Sequence, residues 1–299
     1  MRARHLAAFA SLAGIWGTTW LTIKFVVREM PPITAAGLRF ALAALLLAGF
    51  ARWRGRSLSW QGWQPAERRL LLLLSVLMIA LPYGLVFYSE LWISSALAAI
   101  LFSSHPAFVL LFDSVRSRRN LLTGVRLGGL LLAFSGILVI FWPRLSGPRT
   151  ELKGIVAILG AAAASALATV LAKHGAHRID PLAGTTWQMG VAAVWLLLAG
   201  WGLERPVLGG YSPMALGALL YLTVFGSCIT FVLYYGLLKH VAPVELSTLS
   251  FVIPIIATVM GWLVLNEKLG AHSLAGAAVT LMGVALLHWR EPEHLAAGD

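Results

Sequence analysis

His105 lies inside the run Ile100-Leu-Phe-Ser-Ser-His-Pro-Ala-Phe-Val-Leu-Leu111, with the hydroxyls of Ser103 and Ser104 before it and Pro106 after it. An imidazole there could contact a substrate, or carry a proton between about pH 5 and 8. It could equally be a neutral histidine bonded to a neighbouring hydroxyl. Pro106 removes a backbone donor and frees a carbonyl. In an apolar setting such a break is tolerable only against protein or a wet cavity. A similar break recurs in Ser247-Thr-Leu-Ser-Phe-Val-Ile-Pro254, which adds Ser250 and Pro254 to the candidates. Pro106 and Pro254 are read as hinge or gating positions around one pathway, or as residues that only shape the bundle.

Aromatic and amide groups extend the candidate site. Tyr83, Phe87 and Tyr88 stand at i, i+4 and i+5, and Tyr234 and Tyr235 occupy the matching zone of the second half. Such stripes either pack or line a path, where aromatic walls bury apolar side chains and hold cations over their faces. Trp187 and Gln188 follow Thr185 and Thr186, and Trp16 and Thr19 belong to Trp16-Gly-Thr-Thr-Trp20. Substrate binding is therefore assigned to His105, Tyr83, Ser104, Trp187, Gln188, Tyr234, Trp16, Thr19 and Ser250. Lys24 and Arg39 could attract a carboxylate on the substrate or snorkel to the interface.

Catalytic constellations are absent from the sequence. There is no phosphate-binding loop, no His-Glu-x-x-His and no nucleophile elbow. Cys228 is the single cysteine, which excludes a disulfide framework and a multi-cysteine metal site. No enzyme, cofactor or metal is expected. Glu90, Asp113, Glu245 and Glu267 all fall at or near span ends, so movement down a gradient, or coupling through His105, is expected rather than a carboxylate relay.

The elements that must position these groups follow from composition. Of 299 residues, 59% are hydrophobic and 12% charged, with a mean hydropathy of +0.82. Soluble domains carry about 25% charged residues, so the solvent is lipid. Apolar runs predict ten helices at about 6–27, 33–51, 70–89, 94–113, 124–142, 153–173, 182–202, 213–238, 244–265 and 273–289. The net charge of +11 could suggest nucleic acid, but the basic residues lie mostly in short links. With a cytoplasmic N-terminus, fifteen fall on inner links and seven on outer ones, so both termini are placed inside. The apolar run after Arg2 and Arg4 continues through Trp16 and Trp20, too long for a signal peptide.

The chain also repeats itself. At an offset of about 148–149 residues, Lys24 falls on Lys173, Pro32 on Pro181, Arg39 on Gln188, Pro106 on Pro254 and Gly128 on Gly276. Residues 1–150 and 151–299 thus read as two five-helix units. Five is odd, so the second unit is inverted, and inverted repeats place substrate near the midplane between them. The fourth and ninth spans should bend around the pathway, lined by spans one to four and six to nine. The fifth and tenth should lie outside it. Small-residue stripes such as Gly129-Leu-Leu-Leu-Ala133 permit close helix approach, within a monomer or in a homodimer.

Three stretches carry a family resemblance. "IWGTTWLTIKFVVREMPPITAAGLRFALAALLL" resembles the opening of an EamA-type domain of the drug/metabolite transporter superfamily. "APVELSTLSFVIPI" and the Asn266-Glu-Lys-Leu269 turn that follows resemble its close. Arg119 departs from the pattern, standing where the first half should repeat Glu267. The resemblance implies an all-α membrane protein of ten transmembrane helices in two inverted repeats, exporting small metabolites or drugs. The chain is also similar to amino-acid exporters of the YddG kind, although no motif singles out that branch. The expectation is an inner-membrane exporter of small molecules, amino acids with aromatic or hydrophobic side chains first. Its partners are the lipid bilayer and the substrate, with no nucleic acid. A lipid flippase or an intramembrane enzyme using His105 is the competing class.

Overall fold

A computed structural model of the chain describes residues 3–117, 124–142, 149–175, 180–206, 209–238 and 249–287. The described residues are helical throughout apart from turns. We number ten spans: α1 (Ala3–Val27), α2 (Pro32–Trp53), α3 (Pro65–Ser89), α4 (Ser95–Phe102 and His105–Ser117), α5 (Gly124–Phe141), α6 (Arg149–Gly175), α7 (Pro181–Glu204), α8 (213–238), α9 (Leu249–Leu265) and α10 (Ala271–Leu287). Arg119, Glu245, Ser247, Lys173's side chain and the Tyr235 side chain lie outside what is described. Large apolar side chains such as Leu45, Leu131, Leu198, Trp201 and Leu220 are more than half exposed, as a lipid-facing belt requires.

The two halves interdigitate rather than sit side by side. Helix α2 packs along α7 and α5 along α10, while α4 meets α9. Around these pairs the contacts come in matched sets. Helix α1 packs on α8 and α9 of the other half, and α6 packs on α3 and α4. The arrangement has the two-fold logic of an inverted repeat, with α1 and α6 each crossing into the opposite unit.

Two local features follow the same offset. Helix α3 contains a π-helical turn at Ser75–Ala80, and α8 has one at Val224–Ile229, 149 residues later. The Leu81 and Thr230 N–H groups reach five residues back, to the carbonyls of Val76 and Phe225. Such turns leave carbonyls without their usual i+4 donors and recur at functional sites. Helix α3 also starts five residues before the sequence suggests. Pro65 at its first position and a capping box between Gln64 and Glu67 nucleate it ahead of Arg68 and Arg69.

Glycines set the closest approaches. Gly129 faces Gly283 and Leu286 of α10, so its small surface serves packing within the chain. A Cβ on Gly276 would lie 2.7 Å from the Gly136 carbonyl and 3.0 Å from the Ile140 nitrogen. Helices α5 and α10 therefore meet backbone to backbone.

Carboxylates on the face where α1 ends cap helices of other elements. Glu204, closing α7, accepts from the N–H groups of Ile33 (2.7 Å) and Thr34 (2.8 Å) and from the Thr34 hydroxyl (2.7 Å). Glu267 accepts from Ser95 N–H (3.0 Å), Ser95 Oγ (2.8 Å) and Ala96 N–H (3.2 Å) at the start of α4. Asn266, left-handed at φ 53°, ends α9 and turns the chain so that Glu267 folds back over it. Gly261 gives that carboxylate room, since a Cβ there would meet Glu267 Oε2 at 2.5 Å. The Asn-Glu sequence is thus a cap that ties α9 to α4.

Glu29, in the α1–α2 link, accepts from Ser212 N–H (2.8 Å) and Oγ (2.6 Å) at the start of α8. The Ser212 hydroxyl and N–H hold its carboxyl below the usual range. A depressed carboxyl contributes stability that is complete above its unfolded value and is lost as pH falls through the folded one. Glu29→Gln should therefore melt slightly lower than the parent at pH 7, and the gap should close below about pH 4. Melting curves from pH 3 to 8 check this, and a constant gap would contradict it.

Candidate functional site

Helix α4 places His105 by breaking. The chain leaves the first helical piece at Phe102 and restarts at His105, so Pro106 occupies the second position of a new helix, where its missing N–H breaks no bond. Pro254 differs: it lies within continuous α9, and Thr258 Oγ donates to its carbonyl at 2.7 Å. The two prolines are thus not used alike. α4 is interrupted, whereas α9 runs through its proline.

At the break, Ser103 Oγ donates to the Ile100 carbonyl (2.6 Å) and Ser104 Oγ to that of Leu101 (2.7 Å). Both hydroxyls are buried and turned back on their own helix. His105 points to α6. Its Nε2 lies 3.5 Å from Thr169 Oγ, which itself donates to the Ser165 carbonyl at 2.9 Å. The ring stacks on Phe102 at 6.0 Å, and Phe102 meets Trp20 of α1 at 5.6 Å. A row of rings thus runs from α1 through the α4 break to α6.

A second group surrounds Tyr83. Its ring stands edge-on to Phe40 at 4.8 Å, and the Arg39 guanidinium lies 4.9 Å from its centroid. Arg39 does not snorkel; it is 1% exposed. Its Nε donates to Ser227 Oγ (3.0 Å) and its Nη2 to the Gly226 carbonyl (2.9 Å), both in the π-helical turn of α8. Gly226 itself must be small, because a Cβ there would come within 3.0 Å of Thr19 and 3.1 Å of Arg39. Thr19 is buried beside it and donates to the Trp16 carbonyl at 2.7 Å. Phe87, in contrast, is fully buried core, so the α3 aromatic stripe divides between packing and site.

The remaining candidates fall elsewhere. Trp16 and Tyr234 meet at 5.7 Å in a small cluster with Leu12, Leu237 and Leu249, and Ser250 lies half-buried in the first turn of α9 beside it. Trp187 faces the α2–α3 link: its indole N–H donates to the Leu58 carbonyl (2.7 Å), and its ring stacks on Trp60 at 4.7 Å. Gln188 is buried, and its Oε1 lacks a partner among the described residues, as does Thr185 Oγ. Lys24 is occupied at the end of α3, where its Nζ donates to the carbonyls of Glu90 and, at 2.9 Å, Ile93. That is a favourable place for a cation, at a helix C-terminus.

Sequence reasoning missed Ser227, Gly226 and Phe40. No local signal marks them, because they join Arg39 across 187 to 188 residues or only through a ring face.

Comparison with known proteins agrees with this architecture. A solved crystal structure, 18% identical and matching over 96% of both chains, superposes with a TM-score of 0.65 and shares the fold. Protein PagO of Salmonella typhimurium is 25% identical over 272 residues, covering 91% of this chain and 88% of PagO. A chloroplastic WAT1-related protein of Arabidopsis thaliana is 29% identical over 289 residues, covering 92% of this chain and 67% of its own. An uncharacterized transporter of Bacillus subtilis, YoaV, is 25% identical over 279 residues, covering 92% and 93%. The EamA-like transporter family model matches twice, over residues 5–142 and 152–289. With ten apolar helices among the described residues, in two interleaved sets, and both halves matched, this chain belongs to the EamA-like transporter family and is a membrane transporter.

Proposed function

We propose that the protein exports small amphipathic metabolites, amino acids with aromatic or hydrophobic side chains first, by alternating access between two units, residues 1–150 and 151–299. The observation that carries this reading is the buried meeting of α1, α2, α3 and α8 around Tyr83, Thr19 and Arg39. Polar groups and aromatic faces converge there within a lipid-exposed bundle. The path runs from that group past Ser104 and His105 on one side and Trp16, Tyr234 and Ser250 on the other, with Trp187 and Gln188 towards the α2–α3 link. Pro106 and Pro254 are its hinges. The protein works in the cell inner membrane with both termini cytoplasmic, without a catalytic step, as a monomer or homodimer.

Efflux from vesicles preloaded with labelled amino acids, sugars or lipids tests this reading. Protein-dependent release of aromatic amino acids is expected. Lipid scrambling without amino-acid release would instead favour the flippase class.

His105 acts in this reading by substrate contact and position. The polar neighbour of its ring, Thr169, carries no charge that would stabilise an imidazolium. His105→Gln should lower transport about 10-fold, the size of one lost ring contact, and leave its pH dependence between 5 and 8 unchanged. Rates equal to the parent at every pH would remove His105 from the path.

A further inference from the structure

We propose that Arg39 is the docking point for the carboxylate of the transported molecule, so that the substrates are small monocarboxylates with an apolar side chain. The proposal rests on the transporter reading above and assigns the chemistry of one of its groups. Arg39 is the eighth residue of α2, well inside the bundle and 1% exposed. Its guanidinium cannot shed its charge in a protein.

Its surroundings fix its plane but leave its charge unmatched. Ser227 Oγ and the Gly226 carbonyl hold Nε and Nη2. The rings of Tyr83 and Phe40 lie 4.9 and 5.1 Å from Cζ. Nη1 remains buried with no partner among the described residues. None of these four neighbours is an anion, and among the described residues no carboxylate forms an ion pair with Arg39. A buried cation without a counter-ion is strongly unfavourable, and a ligand anion relieves it.

The class of anion follows from the same arrangement. One unmatched positive charge and one free nitrogen suit a monoanion. A phosphate dianion would leave a net negative charge against the buried faces of Tyr83 and Phe40. The two aromatic faces offer apolar contact beside the free nitrogen. Lys24, the other candidate cation of the first half, is taken by the carbonyls of Glu90 and Ile93. At the matching place in the second half stands Gln188, also buried and also with an unpartnered atom, but uncharged. The carboxylate therefore has a charged resting point in one half of the path and a neutral one in the other, so it can be released.

The test compares ligands that differ only at the acid group. Purified full-length protein in detergent is titrated with phenylalanine, 3-phenylpropionate, phenylalaninamide and 2-phenylethylamine while its thermal unfolding is followed. Both acids should raise the midpoint and bind at least about 10-fold more tightly than the amide or the amine, because the amide offers the guanidinium only a neutral acceptor and the amine none, so its buried charge stays unmatched. Arg39→Gln should bring acid and amide to within about 2-fold of each other, and Arg39→Lys should fall between.

Amide and amine binding as tightly as the acids in the parent protein would overturn the assignment and leave the transporter reading standing. No binding by any of the four would overturn both the assignment and the amino-acid substrate class. If Arg39→Gln does not fold, the acid-to-amide ratio of the parent decides alone.

Discussion

Gly276→Val is expected to cost the protein most of its natively folded yield. A side chain there would be driven into the Gly136 carbonyl and the Ile140 nitrogen of α5, which lie 2.7 and 3.0 Å from a Cβ at that position. Backbone cannot rotate aside as a side chain does, so α5 and α10 must separate. Overpacking of this kind costs about 3 kcal/mol, which on per-residue scaling lowers the melting midpoint by roughly 6–12 °C. Gly128→Val is the control. Gly128 matches Gly276 in the repeat but has open space around it. A melting temperature within about 2 °C of the parent for Gly276→Val would show that the α5–α10 contact is not what the fold depends on.

Tyr83→Ala should have the largest effect on transport among the aromatic positions. Its ring is both the edge-on partner of Phe40 and one face of the Arg39 sandwich. An aromatic pair and a desolvated cation–π contact each contribute about 1 kcal/mol. Their joint loss corresponds to about a 10- to 30-fold fall in rate, and because both are contacts of the folded state the melting midpoint should fall with it by roughly 4–8 °C. Tyr83→Phe retains the ring and should transport within about 3-fold of the parent. Equal transport by Tyr83→Ala and the parent would mean that the path does not pass this group.

Much of the fold was legible because lipid imposes a simple rule: each crossing needs a long apolar run, and the runs are present. The repeat was legible from Lys24, Pro32, Pro106 and Gly128 with their counterparts. The π-helical turns were not. Ser75 and Ser227 lie in these turns and give their hydroxyls to carbonyls of their own helices, Leu71 and Leu222, but a serine inside an apolar run does not mark where the register shifts. The α4 break was visible in Ser103-Ser104-His105-Pro106, but its form was not. The proline opens a new helix there, while Pro254 sits inside one, so the same residue in matching places serves two geometries.

The site was harder to read than the fold. Tyr83 and Thr19 stood as separate candidates in the sequence; the structure puts both beside Arg39, which span-end position suggested would reach for the interface. Its true partners lie in α8, and only packing brings α2 and α8 together. Trp187 and Lys24 show the reverse. Both looked available for substrate, yet the structure gives the indole to Leu58 and the ammonium to the carbonyls of Glu90 and Ile93, just past α3. Long-range backbone acceptors of that kind leave no trace in a sequence.

Substrate protection of introduced cysteines tests the central claim, a path between the two units. In a Cys228→Ala background, single cysteines are placed at Tyr83, Ser104 and Ser250, and at Leu131 of α5 as a lipid-facing control. Membrane vesicles are treated with a water-soluble thiol reagent with and without phenylalanine. The first three positions should label, and phenylalanine should slow each of them, because water and substrate share the path. Leu131→Cys should stay unlabelled under both conditions. Strong labelling and substrate protection at Leu131, with none at Tyr83 or Ser104, would place the path on the other side of the bundle and contradict the account.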